Sequence, residues 1–226
     1  QFLVLTDDAD LKADGARLLI DSLHKSTGAA ISAPILMHRE DPSRIFSIGG
    51  ELTEAGTVRH LMSGQSPEKV APRLRTQRTV DWADGACLMM RRDVFKILGG
   101  FDPRFFLYVE EVDYQMRMRV CKAAVVLNPA AIGYQIPGRY RLFLKYRNHI
   151  WLSRKMAGHI PRWPWFTELL KDIARWSAGR DVDSPVTAVQ GIFEGYRMPK
   201  ESLSGIDSPV GRRLPVWSFL KSTKSR

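Results

Sequence analysis

Two short apolar runs, Phe2–Leu5 and Ala29–Met37, bracket a segment whose apolar residues fall at helical spacing, and this pattern constrains the fold most. Phe2-Leu3-Val4-Leu5 is short and continuously apolar, which predicts a buried strand. Asp14 offers an N-cap to a helix over Gly15–Lys25, with Leu19, Ile20 and Leu23 on one side and Gly28 ending it. Ala29–Met37 reads as a second strand, broken by Pro34. The alternation continues with a strand in Val80–Arg92, a helical turn or two over Asp93–Leu98 and a stop at Gly99-Gly100. A helix then runs to Val120, and Ala123–Leu127 is a strand ending at Asn128-Pro129. Residues 38–80 are polar with turn signals at Asp41-Pro42, Gly49-Gly50 and Ala55-Gly56, which predicts hairpins or a mobile flap. From Tyr140 to Ala178 the pattern is helical, broken by Pro161 and Pro164, and residues 181–200 predict one more short helix. Such alternation predicts an α/β architecture, a Rossmann-like mixed sheet, followed by a helical extension.

At 226 residues and 44% hydrophobic, the chain can bury a real core, which excludes disorder throughout. It has no run of about eighteen apolar residues, so no transmembrane helix is encoded. Cys87 and Cys121 sit in apolar surroundings and read as small core residues of a reducing compartment. Residues 1–137 balance 17 basic against 17 acidic residues, whereas residues 138–226 hold 17 basic against 7 acidic and so the whole net charge of +10. This asymmetry divides the chain into an α/β domain over 1–137, a helical basic and aromatic extension over 138–200, and a loose basic tail over 201–226. Gln1 leads directly into the first strand, which predicts that an N-terminal portion precedes it.

Candidate chemistry begins where the first strand ends, in Thr6-Asp7-Asp8-Ala9-Asp10. Carboxylates at a strand end suit a hard divalent cation, Mg²⁺ or Mn²⁺, bridging a nucleotide diphosphate; helix capping and a solvated loop explain them as well. Glu110, Glu111 and Asp113 follow Phe105-Phe106-Leu107-Tyr108. Repulsion and partial burial would raise one of them towards useful base strength, while acids in a first helical turn and an Asp113–Arg117 pair are the electrostatic alternative. In Trp82-Ala83-Asp84-Gly85 the Trp could stack on a sugar whose hydroxyls Asp84 accepts, or could be a core Trp before a turn. The extension mixes Arg139, Lys145, Arg147, Arg154 and Lys155 with Tyr146, Trp151 and Trp165. That mixture over 139–180 suits an anionic membrane surface, or an amphipathic helix packed on the domain with a solvated basic side. Nucleic acid, which the tail alone favours, is not expected. The five histidines (24, 38, 60, 149 and 159) lack metal-ligand spacing and read mostly as surface residues.

The run VDWADGACLMMRRDVFKILGGFDPRFFLYVEEVDYQMRMR, residues 80–119, resembles the second half of inverting family-2 glycosyltransferases of the GT-A fold, the group that includes rhamnosyl- and galactofuranosyltransferases. With LTDDADL and the later KYRN, the resemblance spans roughly residues 1–200. It implies a partial GT-A domain lacking the nucleotide-binding half, transfer from a nucleotide-diphosphate sugar to a glycan or lipid-linked glycan, and a role in cell-wall or polysaccharide assembly. By position, Asp8 matches the last Asp of the family's D-x-D metal motif, with Asp7 in the middle and Asp10 just beyond; Thr6 stands in the place of the first Asp. The resemblance therefore implies donor binding at Asp7 and Asp8, metal at Asp8 and Asp10, Glu111 as catalytic base, and an acceptor side built from Trp82, Asp84, Gly85 and Glu110. Relatives carry a further metal-binding His where this chain reads Ile132-Gly133-Tyr134-Gln135, so that ligand is expected to be lost. The alternative is a non-catalytic glycan-binding or scaffold relative with a decayed metal site. A cytoplasmic location, peripheral on the inner face of the plasma membrane, is the accompanying expectation.

Overall fold

The computed structural model describes residues 1–52, 58–136, 138, 141–157, 162–180 and 183–200. In chain order its elements begin with strands β1 (Phe2–Leu5) and β2 (Ala9–Leu11), helix α1 (Gly15–Lys25) and strand β3 (Ala29–His38). Short strands β4 (Ile45–Ser47), β5 (Gly50–Leu52) and β6 (Val58–His60) precede helix α2 (Pro67–Val70) and strands β7 (Arg78–Val80) and β8 (Cys87–Met90). Helices α3 (Arg92–Leu98) and α4 (Glu110–Val120), strand β9 (Ala124–Gln135) and helices α5 (Leu142–Ala157), α6 (Arg162–Ser177) and α7 (Pro185–Arg197) complete the order.

The sheet is mixed, in the order β1-β8-β3-β9-β2, with β4 pairing β3 and β7 pairing β9. β3 and β9 run parallel at its centre, and the remaining pairings are antiparallel. Both faces are covered, which is why β3 is buried along nearly its whole length instead of alternating. The division is visible on β8, where Cys87 and Met89 join α1 residues Leu19 and Leu23 on one face. Leu88 and Met90 join Val94 and Tyr114 on the other.

Pro34 does not break its strand. β3 runs through it, and the register with β9 shifts there, Asn128 facing Pro34 and Ile132 facing Ile35. Residues 129–131 arch out between these pairs, which accommodates a residue that cannot donate to the ladder. Asn128 ties the arch to α1 by donating to the Leu18 carbonyl and the Ser22 hydroxyl at 3.0 and 2.7 Å. For the same reason β9 does not stop at Leu127 but resumes and extends to Gln135.

The described part of 38–80 contains ordered strands and a hairpin, β5–β6, seated on Trp82; a Cβ on Gly50 would fall inside the indole. Pro164 lies in the first turn of α6 and does not interrupt it, because no intrahelical N–H bond is needed at that position. Trp151 of α5 stacks on Phe105 with centroids 4.3 Å apart, and with Leu152 it shares a core with Trp82, Val112 and Met116. The helical extension is thereby packed onto the sheet domain.

Candidate active site

α4 begins at two adjacent glutamates, Glu110 and Glu111, and the chain before it turns in an unusual way. Phe106, Tyr108 and Val109 all have positive φ (64°, 71° and 59°), a region costly for non-glycine residues and most of all for a β-branched one. Asn148 of α5 holds the turn: its side-chain amide donates to the carbonyls of Phe105, Leu107 and Tyr108 at 2.8, 2.6 and 3.1 Å. Arg147 adds a bond to the Phe105 carbonyl at 2.7 Å. From the other side Gln115 clamps α4 to the loop before β8, accepting from Ala83 N at 2.7 Å and donating to Ala83 O at 2.8 Å.

These restraints gather carboxylates from three places. Pairing of Leu5 with Cys87, and a bond from Thr6 N to Ala86 O at 3.1 Å, bring the Asp7–Asp8 turn beside the 84–86 loop. Asp84 is half-buried, accepts from Ala86 N at 2.9 Å, and has a raised pKa, chiefly from burial, with the charge of Asp8 adding to it and that of His60 opposing it. Glu111 lies directly against Gly85, whose absent Cβ would stand 3.2 Å from its Cγ. Burial, then the charges of Glu110 and Asp84, hold the Glu111 carboxyl well above the ordinary glutamate range. Glu110 is raised by burial and by Asp84, and its Oε2 is buried without a hydrogen-bond partner among the described residues. Asp8, Asp84, Glu110 and Glu111 thus form one electrostatically connected group, which joins the turn after β1, the 84–86 loop and the start of α4.

The other expected residues fall differently. Asp7 is exposed beside the group. The carboxylate of Asp8 accepts the Thr6 hydroxyl at 2.6 Å, while Asp10 is ion-paired with Arg39. Trp82 is 2% exposed, so it is core and presents no ring face to a sugar. Asp113 is wholly buried between Arg117 at 2.9 Å and Lys155 at 2.5 Å, and is structural. Among the described residues no three His, Cys, Asp or Glu side chains form a group able to hold a metal. What fits a divalent cation here is the part-exposed carboxylate of Asp8, since Mg²⁺ commonly takes one or two carboxylates and completes its shell with phosphate and water. Gln135 stands on β9, which pairs with β2, and its buried Oε1 has no partner among the described residues.

The basic residues of the extension also divide. Lys145 bonds Asp172 at 2.7 Å, and Arg154 donates to the carbonyls of Gly195, Tyr196 and Met198 at the end of α7. Together with Arg147 and Lys155 they are interior ties, so α5 is not a membrane-facing basic surface. Arg139 and His159 lie outside the described residues. Two histidines expected at the surface are partly shielded from water instead. His60 packs edge-on to Trp82 at 4.7 Å, and loss of water lowers its pKa against the pull of Asp84. His149 is driven down to about 3 by burial, with Lys145 and His60 adding to the effect. Helical periodicity carried a signal for α5: Asn148, Trp151, Leu152 and Lys155 share one stripe and are all buried.

No protein-family model matches the chain. It is 25% identical over 162 residues to the low-salt glycan biosynthesis hexosyltransferase Agl10 of Haloferax volcanii, a match covering 68% of this chain and 50% of that protein. Over 43 residues it is 46% identical to N-acetylglucosaminyl-diphospho-decaprenol L-rhamnosyltransferase of Mycobacterium tuberculosis, covering 19% of this chain and 14% of that one. The chain is similar to glycosyltransferases of glycan biosynthesis. It spans at most half the length of these relatives in the matched regions. Among solved structures, GalNAc-T7 with UDP, GalNAc and Mn²⁺ aligns with a TM-score of 0.48 and 12% identity, over 89% of this chain and 38% of that one.

Proposed function

We propose that this chain carries the acceptor-side and catalytic portion of an inverting GT-A glycosyltransferase acting on a nucleotide-diphosphate sugar and a glycan or glycolipid acceptor. The observation that supports it best is Glu111, a carboxylate packed against Gly85 whose proton affinity is raised by burial and by the charges of Glu110 and Asp84. In the reaction Glu111 takes the proton of the acceptor hydroxyl as its oxygen forms a bond to the anomeric carbon. The bond from that carbon to the diphosphate breaks on the opposite face, and the electron pair leaves with the diphosphate. A carboxylate already close to two others gains from receiving a proton, which favours that transfer. Glu110 and Asp84 are offered as acceptors for sugar hydroxyls, and Gly85 as the position that lets the backbone approach Glu111. Asp8, with Asp7 alongside, would hold Mg²⁺ or Mn²⁺; when bound, the ion supplies positive charge against the departing diphosphate.

Glu111→Gln in the intact enzyme is the test, with sugar transfer and donor binding measured on the same preparation. The expected outcome is loss of transfer with donor affinity kept, and near-normal turnover would remove Glu111 from the role. A second reading, a glycan-binding or scaffold relative without catalysis, is favoured by the capture of Asp10 by Arg39. Titration calorimetry with Mn²⁺ and nucleotide sugars separates the two, because the scaffold predicts no metal-dependent heat.

A further inference from the structure

A single exposed apolar side chain needs no explanation by itself, but one held out against the preference of its own backbone does. Phe105 and Phe106 are neighbours with opposite fates. Phe105 is 0% exposed and stacks on Trp151, whereas Phe106 is 79% exposed, more than any other large apolar residue described. Its φ of 64° lies in the left-handed region, where glycine would sit without the same penalty. The fold nevertheless fixes this conformation. Phe106 N donates to the Pro103 carbonyl at 3.1 Å and Leu107 N to the Phe105 carbonyl at 2.8 Å. Asn148 grips the carbonyls on both sides, those of Phe105 and Leu107. A ring that covers so little of the protein does nothing to offset that strain, so its use lies outside the fold.

Leu5 pairs with Cys87, the first residue of β8, so the Asp7–Asp8 turn, the 84–86 loop and Glu111 against Gly85 lie at one end of the sheet. Phe106 precedes Glu110 by four residues, so their Cα atoms are at most about 14 Å apart. We propose that Phe106 is an acceptor-binding residue, its ring stacking on the C–H face of a neutral sugar unit of the acceptor. The surroundings select that ligand. Asp8, Asp84, Glu110 and Glu111 repel an anionic partner and accept hydrogen bonds, while the ring beside them offers an apolar face. A neutral sugar supplies both complements, hydroxyls around its edge and C–H groups on one face. Leu107, 39% exposed, widens the platform. This role rests on Glu111 acting as the base and names the residue that grips the acceptor beside it. Strain at 106 is then kept because glycine, which would relieve it, has no ring to stack.

The test is saturation-transfer difference NMR on the purified chain with methyl glycosides of glucose, galactose, N-acetylglucosamine and rhamnose, irradiating the aromatic protons. Saturation of at least one glycoside, concentrated on the protons of one ring face, is expected. Phe106→Ala should weaken that binding by about threefold to tenfold, and Phe106→Trp should keep it. Phe106→Gly should bind as poorly as the Ala variant yet melt at or above the parent, because the left-handed conformation suits glycine. Glu111→Gln should keep the binding, which separates the two roles. Catalytic turnover that survives Glu111→Gln in the intact enzyme refutes the base, whereas glycoside binding that survives Phe106→Ala refutes the platform. Absence of saturation in all four glycosides overturns the proposal as well. So does a Phe106→Gly variant that melts several degrees below the parent, because the ring is then part of the packing.

Discussion

Replacing Asn148 by Ala probes the support of the candidate base without touching it. Asn148 is fully buried, and its two amide hydrogens are shared among the carbonyls of Phe105, Leu107 and Tyr108. Each such bond contributes about 1 kcal/mol net, and a buried acceptor left bare costs about 1–3 kcal/mol. Against this, the turn stores strain at Phe106, Tyr108 and Val109, about 1–3 kcal/mol per residue, part of which is released once the clamp is gone. The balance is a loss of about 2–3 kcal/mol, or a Tm lower by roughly 4–12 °C for a chain of this size. Released strain means a moved turn, so the amides of 105–112 should exchange hydrogen faster than those of β3 or β9, and transfer should fall with Glu111 chemically intact. Asn148→Asp keeps the volume and the bond received from Arg147 Nε at 2.8 Å but points carboxylate oxygens at the same carbonyls. It should therefore be at least as damaging as Ala. Calorimetric melting and hydrogen exchange read both variants. A Tm within about 1 °C of the parent, with unchanged exchange at 105–112, would refute the idea that this residue holds the turn.

Glu111→Gln should raise stability at neutral pH while removing transfer. A carboxyl whose folded pKa is raised binds more protons folded than unfolded, so stability falls as pH rises from the ordinary value of 4.5 through the folded one; the amide removes that loss. The stability gain in melting experiments should vanish as pH approaches about 4, and a uniform gain at all pH values would contradict it. His149 has the opposite sign: its pKa is depressed to about 3, so the unfolded chain takes up a proton first as pH falls below 6.5, and stability falls with it. His149→Gln should flatten the pH–stability curve between about 6.5 and 4, read as Tm against pH. Gly50→Ala drives a methyl into the Trp82 indole and should cost about 1–3 kcal/mol or displace the β5–β6 hairpin, measured by urea unfolding. Gly85→Ala, 3.2 Å from Glu111 Cγ, should instead leave the melting point close to the parent and lower transfer by moving the carboxylate a few tenths of an ångström.

The parts of this site legible in the sequence are those whose chemistry is local. Adjacent glutamates after an aromatic run announce mutual repulsion and partial burial without knowledge of any distant partner, and the apolar runs announce strands. The turn before Glu110 is different in kind, because neither Tyr108 nor Val109 favours positive φ; its conformation is imposed by Asn148, about forty residues away in sequence. Long-range imposition also explains why Trp82 is open to two readings in the sequence: Gly50 and Phe105, which bury it, lie 32 and 23 residues off. The cations of α5 were legible in principle. Lys155 falls three and four residues from Leu152 and Trp151, on the buried stripe, and a charge at such a position needs an opposite charge opposite it. Asp113 is that partner. The third acid of the cluster is thereby consumed by the fold as the partner of Lys155 and Arg117, which separates it from Glu111, whose proton affinity is raised by burial and by two other acids with no cation among the causes that move it.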